Sequence, residues 1–545
     1  MKNGILKFTF LTFFLTLASS ISAQGSAGSG SSLATYTIFA ITTLIVMGAV
    51  LFGVDSLLGV EEKKRGIKNK VGRATLPSLS NLFATKAPAY LKGKPVTMLT
   101  KGHDIKLQGV ATVVENAPTK AKTFAVKPTN FVGMSPIPKV TVAVGDEVKA
   151  GDILFFDKKR PEIKYVAPVS GEIVTVNRGE KRSIAEVVIL ADKEKVEYRE
   201  LPAFDLAKAS RQELVDHLLE AGVWPMINQR PFDVVPDPTD EPLNIFISTF
   251  DTAPLAPDLN HVVEGKGAAF QKGIDVLKKL TKGQVYLGLN GNTENVSTVF
   301  TGAHGVEHHW FHGKHPAGNV GVQIHHLNPI KAGDKVWTLG VQEVISIGTL
   351  MNENRHDASR VIALTGAELK TPHYAHTYLG ANVGDLLADN LENDHVRFIS
   401  GDVLSGKAIA KEGFLDYRAD QVTVLEEGDE YEMFGWLLPL SGRPSISPTF
   451  PSSFFPDVAF KANTNTHGEK RAFVVTGQYE SVMPMDIYVQ HLMKSIITNN
   501  FERMEGLGIY ELTEEDIALC EFTCTSKQPL QQLLREGLDT MREQL

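Results

Sequence analysis

The chain is poor in cysteine: Cys520 and Cys524 are the only two among its 545 residues. Two thiols exclude a secreted disulfide scaffold, a four-cysteine zinc site and a self-contained four-thiolate iron–sulfur cluster. A GxxxxGK[ST] phosphate-binding loop is also missing. Positive charge is not in excess, since 55 Lys and Arg oppose 63 Asp and Glu, which argues against a nucleic-acid binder with a basic face. The remaining composition is ordinary for globular proteins, and the length predicts about three to four domains.

The first 54 residues have the pattern of a targeting and attachment segment. Residues 1–23 carry Lys2 and Lys7, then an apolar stretch and small residues, which is typical of a signal peptide. Residues 24–32 are a linker of mostly Gly and Ser. Residues 33–54 are uncharged and predict one transmembrane helix, with a buried core helix as the alternative.

A basic tether, residues 55–93, follows the predicted membrane segment. Its six cations nearest the membrane are Lys63, Lys64, Arg65, Lys68, Lys70 and Arg73. Cations beside a membrane segment stay on the cytoplasmic side, so residues 61–545 are expected there whether or not the signal-like segment is cleaved.

Residues 94–199 predict a biotinyl/lipoyl-like β-barrel. Val140, Val142 and Val144 alternate as on one buried strand face, and the pairs Gly145-Asp146 and Gly151-Asp152 have turn composition. Carrier domains of this type present a lysine between methionines on the following hairpin. Here the hairpin is DKKRPEIK, without Met, so we expect the fold without biotin or lipoate.

Residues 200–350 predict an open α/β domain. An amphipathic helix with a capping box at Ser210 and Glu213 comes first. A strand over 243–249, a helix from 267 and a strand from 284 then give a β-α-β rhythm. The sequence GKGAA at 265–269 has two interpretations: a flavin or dinucleotide phosphate site, or a helix start with small residues for packing. The second is favoured because the third glycine of a dinucleotide loop is missing.

Seven of the sixteen histidines lie between 304 and 326. His308 and His312 would share one face of a helix and could ligate a metal with Glu307 or His304. The alternative is packed or surface histidines on a glycine-rich loop, and the glycines and proline of this segment favour it. We therefore predict no metal site.

The last two units differ in pattern. Residues 351–480 predict a β-grasp domain similar to the soluble-ligand-binding β-grasp (SLBB) type, with strands in 359–409 and a short helix over 383–388. Residues 481–545 predict a small helical domain with helices over 485–498 and 530–545. The fold class expected for the whole chain is therefore multidomain α+β.

Several motifs, in order, resemble the family of A subunits of the Na+-translocating NADH:quinone reductase. They are FVGM (131–134), RPF (230–232), FDTAPL (250–255), GKHPAG (313–318), ISGDVLSG (399–406), MFGW (433–436), GQYESVMPMDI (477–487) and TEEDIALCEFTC (513–524). The resemblance covers about residues 100–545. Family members start near residue 100, so the preceding segment is an addition here.

The resemblance implies a respiratory complex that oxidises NADH, reduces ubiquinone or another quinone and exports Na+ across the bacterial inner membrane. This chain would be a cytoplasmic, non-catalytic subunit without a cofactor of its own, on the quinone-reduction side. The B subunit in the membrane and the remaining subunits would be its partners, and flavins and iron–sulfur would lie on those chains. CEFTC, with Cys520 and Cys524, would be a relic of a cluster-binding domain.

Two alternatives stay open: a stand-alone flavin- or NAD-binding oxidoreductase, and a related electron-transport subunit that has lost its iron–sulfur clusters. For a quinone, the best contact is the loop with His315 as donor, Pro316 as a rigid turn and Gly318 allowing close approach. The competing interpretation is that this loop only shapes a turn against the β-grasp domain.

Overall fold

The structure is a computed structural model that describes residues 36–50, 54, 87–113, 120–192, 195–431, 443–446 and 457–544. The chain divides into two compact units, Met1–Pro88 and Ala89–Leu545. The predicted signal-like segment and Gly/Ser linker, most of the basic tether and the MFGW motif lie outside the described residues.

The described part of the first unit is mainly a helix over residues 36–50. A membrane crossing needs about 20 apolar helical residues. Within the described residues, no helix combines the length and the apolar character that a crossing requires. The prediction of a transmembrane helix over 33–54 is therefore not supported.

A short 3-10 helix (Ala89–Leu91) opens the second unit. The first strand, β1 (Val96–Met98), pairs with a strand of the α/β sheet and not with the barrel. The barrel itself is built from seven strands: β2 (Thr123–Val126), β3 (Lys139–Val140), β4 (Glu147–Val148), β5 (Ile153–Asp157), β6 (Arg160–Val166), β7 (Gly171–Arg178) and β8 (Ile184–Ala191). They form two antiparallel sheets, β2-β8-β7-β4 and β3-β5-β6. The predicted β-rich barrel is confirmed.

The glycine turns of the barrel are as the sequence predicts, whereas strand β3 is shorter than predicted. Gly145 and Gly151 have φ angles of 92° and 95°, which glycine adopts without a Cβ penalty. Strand β3 ends at Val140, however, and Val144 is 63% exposed. The prediction of one buried face through Val144 is wrong because the chain already turns towards Gly145.

The α/β domain adds five strands: β9 (Asn228–Arg230), β10 (Asn244–Ser248), β11 (Val285–Asn290), β12 (Glu307–His312) and β13 (Val336–Leu339). Together with β1 they form a six-stranded sheet in the order β1-β12-β11-β10-β13-β9. All neighbours are parallel except β9, which is antiparallel to β13. The predicted β-α-β rhythm is confirmed.

Six helices accompany this sheet: α1 (Arg211–Glu220), α2 (Leu259–Val262), α3 (Gly267–Leu280), α4 (Thr298–Thr301), α5 (Val320–Leu327) and α6 (Val341–Glu353). Ser210 caps α1 through the predicted capping box with Glu213. Helices α3 and α6 approach closely at two glycines: a Cβ on Gly273 would lie 2.1 Å from the Val344 carbonyl oxygen, and one on Gly348 would lie 1.7 Å from that of Ala269.

The β-grasp domain follows, with the elements β14 (Ser359–Thr365), β15 (His373–Tyr378), α7 (Val383–Leu386), β16 (Val396–Ser400), β17 (Lys407–Ile409) and β18 (Gln421–Glu426). Its five strands lie in the order β15-β14-β18-β16-β17. The strand–strand–short helix–strand order predicted for 359–409 is confirmed.

The C-terminal unit is helical, as predicted. Its helices are α8 (Tyr479–Val482), α9 (Val489–Ile497), α10 (Phe501–Gly506), α11 (Glu514–Thr523) and α12 (Leu530–Gln544). Helix α9 begins four residues after the predicted start, because Met485 and Ile487 are buried in the loop that leads into it. These helices share a hydrophobic core with α5 and with Phe246 of the central strand β10, so they pack against one face of the α/β domain.

Candidate functional site

The candidate site lies at the carboxyl ends of the parallel strands. From β10 the chain steps to β11 and β12 on one side, and then returns to place β13 on the other side of β10. This reversal is a topological switch point, where open α/β sheets bind ligands in the crevice beyond the strand ends. The segment after β10 carries Asp251 and Thr252, and the segment after β12 carries the predicted quinone loop.

The structure brings these two segments together. The Thr252 hydroxyl lies 3.1 Å from Nδ1 of His315 and accepts from the backbone N–H of Gly318 at 3.0 Å. A Cβ on Gly318 would lie 2.7 Å from the Thr252 nitrogen. The sequence predicted that Gly318 allows a quinone to approach closely. In the structure, the backbone of Thr252 approaches Gly318 instead.

His315 is only 3% exposed and its backbone is fixed on both sides. Its N–H donates to the Asp104 carboxylate at 2.9 Å, and its carbonyl accepts from the N–H of His103 at 2.9 Å. The ring Nε2 is buried and has no partner among the described residues. Burial lowers the pKa of His315 to about 4, so the imidazole is neutral at pH 7 and one ring nitrogen has unused hydrogen-bonding capacity.

A buried ion pair borders the crevice. Arg230, at the end of β9, donates to the Asp516 carboxylate at 2.7 Å and to that of Glu515 at 2.6 Å. The side chains of Arg230 and Asp516 are 3% and 0% exposed, whereas Glu515 is 43% exposed. A Cβ on Gly321 would lie 2.3 Å from this guanidinium, so glycine is required where α5 meets the pair. The pair joins the α/β domain to the first turn of α11.

Further carboxyl groups interact with Glu515 in this region. Desolvation by the surrounding protein raises the pKa of Asp251 to about 6, and the charge of Asp402 adds to the shift. Desolvation also raises the pKa values of Asp420 and Glu515, and Asp251 contributes to both shifts. Asp251 and Glu515 nevertheless keep contact with solvent. The region beyond the strand ends, called the crevice below, therefore contains several mutually interacting carboxyl groups, of which Asp251 and Glu515 contact solvent.

The helix that follows β13 at the switch point packs against the β-grasp domain. The first turn of α6 is covered by the β-grasp strand β14. Gln342 exchanges two hydrogen bonds with the Val361 backbone, and Arg360 donates to the Glu343 carboxylate at 3.1 Å. At GKGAA, helix α3 starts at Gly267 directly after the short helix α2 and without a strand before it. These contacts favour the packing interpretation of that sequence.

The histidine-rich segment forms strand β12 and helix α5. His308 and His312 lie on the strand, so the helical metal-ligand alternative is wrong. The ring of His308 contacts the Phe300 carbonyl at 3.0 Å, and that of His312 contacts the Gly291 carbonyl at 2.7 Å. In the part of the chain that the structure describes, no three His, Cys, Asp or Glu side chains are arranged to hold a metal ion.

The two cysteines are buried between α8 and α11. Cys520 lies on α11, and Cys524 follows the end of that helix. The Tyr479 hydroxyl lies 2.8 Å from Sγ of Cys524. Burial raises the pKa of Cys520 far above its ordinary value, which makes its thiol unreactive.

Sequence reasoning missed several residues of the crevice: Arg230, Asp251, Asp420 and the pair Glu515 and Asp516. Three of the motifs contain members of this set, namely RPF, FDTAPL and TEED, but no single motif shows that they meet. Arg230 and Asp516 are 286 positions apart. Local periodicity carries no information about such a contact.

Comparison with known proteins gives consistent matches. The NqrA N-terminal barrel-sandwich hybrid domain matches residues 97–192, the NqrA second alpha/beta domain matches 209–356, and the NQRA C-terminal domain matches 361–411. The A subunit of the Na(+)-translocating NADH-quinone reductase of Alcanivorax borkumensis is 37% identical over 446 residues, covering 81% of this chain and 98% of that protein. Its counterpart in Saccharophagus degradans is 37% identical and covers 82% and 99%.

Among solved structures, an NAD+-reducing [NiFe]-hydrogenase in the air-oxidized state matches with a TM-score of 0.32 and 10% sequence identity. The match covers 63% of this chain and 66% of that one. A score this low supports no conclusion about this chain.

Proposed function

This chain belongs to the family of A subunits of the Na(+)-translocating NADH-quinone reductase, and on that premise we propose that it works as part of such a complex. The complex oxidises NADH, reduces ubiquinone or another quinone to quinol and exports Na+. The observation that carries this proposal is the identity of 37% over nearly the whole length of the relatives.

Within the complex, the chain acts on the quinone side and binds no cofactor itself, while flavins and iron–sulfur lie on other subunits. The chemistry of the crevice supports this division. Carboxyl groups disfavour the phosphates of a flavin or nicotinamide nucleotide, and two buried thiols cannot complete a cluster. The partners are the remaining subunits, above all the B subunit in the membrane, and the chain is held on the cytoplasmic side of the bacterial inner membrane.

The quinone contact is assigned to His315, with Pro316 and Gly318 shaping the loop. A quinone is uncharged, so the carboxyl groups do not repel it. Nε2 of His315 is buried and unpartnered, so a hydrogen bond to the quinone carbonyl oxygen requires the loop to move and admit the headgroup. Formation of quinol takes two electrons, which come from NADH through the partner subunits, and two protons. Asp251, with a pKa of about 6, can exchange protons at neutral pH beside this loop.

Replacement of His315 tests this assignment. In the assembled complex, His315→Ala should raise the apparent KM for quinone, while NADH oxidation by an artificial acceptor stays unchanged, since hydride uptake is assigned to a different subunit. His356→Ala removes an imidazole that is buried as deeply (1% exposed) and bonds to the Ala221 carbonyl, so it controls for the loss of a buried ring. If the His315→Ala complex assembles normally and its apparent KM for quinone is unchanged, the quinone site lies on a partner subunit and not at His315.

The stand-alone oxidoreductase is the competing function. It requires a flavin or nicotinamide nucleotide on this chain, and a bound flavin absorbs at about 450 nm. An absorbance spectrum of the purified chain separates the two functions. A flavin band in stoichiometric amount would show that this chain binds a flavin, and it would contradict the cofactor-free subunit role proposed here.

A further inference from the structure

Residues 100–104, called the latch below, form a short polar segment between two anchored positions. Before the latch, the Leu99 N–H donates to the His312 carbonyl at 2.8 Å and so continues the pairing of β1 with β12. After it, Ile105 and Leu107 are 8% and 7% exposed and lie in the hydrophobic core that contains the C-terminal helices. No residue of the latch itself is buried. A segment without buried apolar contacts opens locally at a low cost in free energy.

The latch holds the middle of the quinone loop through backbone contacts. The His103 N–H donates to the His315 carbonyl, and the His315 N–H donates to the Asp104 carboxylate, both at 2.9 Å. Gly102 has a φ angle of 123°, and a Cβ at this position would collide with the His315 carbonyl oxygen, so glycine permits the close approach of the two backbones. Asp104 is exposed, so water can replace the His315 N–H as its donor when the latch opens.

The two ends of the quinone loop are fixed to the α/β domain without the latch. The Gly313 backbone exchanges two hydrogen bonds with the Asn292 side chain, at 2.8 Å and 2.9 Å. The Gly318 N–H donates to the Thr252 hydroxyl at 3.0 Å, and the Gly318 carbonyl accepts from the Ser248 hydroxyl at 2.8 Å. Opening of the latch therefore releases the middle of the loop and leaves both of its ends in place.

We propose that the latch opens as a unit and that only its open state admits a quinone headgroup to the His315 ring. The structure shows the closed state, in which Nε2 of His315 is buried and has no partner among the described residues. Opening frees the backbone N–H and carbonyl of His315, so this residue can shift between the fixed ends of its loop. The inference rests on the proposed function, because it concerns access to the same quinone contact.

The first test measures the apparent KM for a short-chain ubiquinone in the assembled complex. If quinone binds only the open state, its apparent affinity is reduced by the fraction of open molecules. Asp104→Ala removes an acceptor that serves only the closed state, so it should lower the apparent KM at least about threefold. Damage to the site would instead raise the KM. A raised or unchanged KM in a normally assembled Asp104→Ala complex would overturn the proposal.

Two matched variants accompany this measurement. Asp104→Asn keeps an oxygen that accepts from the His315 N–H, and it should change the KM less than about twofold. Lys106→Met lies outside the latch and breaks only the exposed pair with Asp457, so its KM should stay within about twofold of that of the unaltered complex. NADH oxidation by an artificial acceptor should be the same in all three variants.

Hydrogen exchange with residue resolution tests the opening without quinone. Asp104→Ala leaves the hydrogen bond of the His103 N–H intact, yet the protection factor of this amide should fall at least about threefold, because the latch opens as one unit. Unchanged protection of His103 would overturn the proposal. If His315→Ala leaves the KM unchanged, the quinone contact fails and this inference with it. If His315→Ala raises the KM and Asp104→Ala does not lower it, the inference about the latch alone fails.

Discussion

Removal of Arg230 should destabilise the contact between the α/β domain and the C-terminal helices. In Arg230→Met, the carboxylate of Asp516 keeps its charge but loses the guanidinium that donates to it at 2.7 Å. Asp516 is fully buried, and breaking a buried pair by removing one partner costs about 3–5 kcal/mol. Glu515 is 43% exposed, so water compensates for most of its loss and adds less than about 1 kcal/mol.

Hydrogen exchange measured by mass spectrometry on peptides from α11 reports the free energy of local opening, and it should fall by about 3–5 kcal/mol in Arg230→Met. The double variant Arg230→Met, Asp516→Asn removes both charges and should recover most of the loss, because no buried charge is left unpaired and the oxygen of the new amide side chain can still accept from Thr513 at the start of α11. Lys106→Met, which breaks the exposed pair with Asp457, should change opening by less than about 1 kcal/mol. If Arg230→Met is as mild as Lys106→Met, the pair is hydrated in solution and the reasoning from burial is wrong.

Three other substitutions give distinct results. The pKa of Asp251 is raised to about 6, above its ordinary 3.8, so the folded chain loses stability as pH rises from 4 to 6. Asp251→Asn should remove this loss. The melting temperature of the variant minus that of the unaltered chain should therefore increase from pH 4 to pH 6 and then stay level. The pKa of His315 is lowered to about 4, so the folded chain loses stability as pH falls from 6.5 to 4. The melting temperature of His315→Gln should therefore depend less on pH over this range. An equally steep dependence would contradict the burial of the neutral ring. Gly348→Ala places a Cβ 1.7 Å from the Ala269 carbonyl oxygen and should cost at least about 1–3 kcal/mol in thermal or urea unfolding, whereas Gly506→Ala, with no atom within 4 Å of the added Cβ, should not destabilise the chain.

Local patterns were sufficient where one short segment determines the structure. The capping box at Ser210 and Glu213 predicted the start of α1, because both hydrogen bonds close within four residues. The buried run at 243–249 predicted β10, since a central parallel strand is covered on both faces. The alternation through Val144 failed because a period of two does not show where pairing ends, and β3 ends at Val140.

Long-range packing accounts for what the sequence could not show. Strand β1 follows a tether and precedes the barrel, yet it pairs with β12, which lies more than 200 positions later. The three residues of β1 are too few to indicate which sheet they join. Their assignment to the barrel domain followed from sequence order, whereas the structure places them at the edge of the α/β sheet.

The crevice explains why scattered motifs supported one family resemblance. Arg230 of RPF pairs with Asp516 of TEED at 2.7 Å. Thr252 of FDTAPL contacts His315 of GKHPAG at 3.1 Å, and Asp402 of ISGDVLSG lies near enough to His315 to influence its pKa. Arg230 lies opposite Val336, at the amino end of the parallel strands, so side-chain contacts link motifs from three structural units although their backbones do not all lie at one edge of the sheet. Turn formation alone would not bring these segments together, because each turn could form without the others. Packing of the C-terminal helices against the α/β domain accounts for their proximity, since the two share one hydrophobic core. A quinone beside His315 is a separate proposal, and the quinone dependence of His315→Ala tests it.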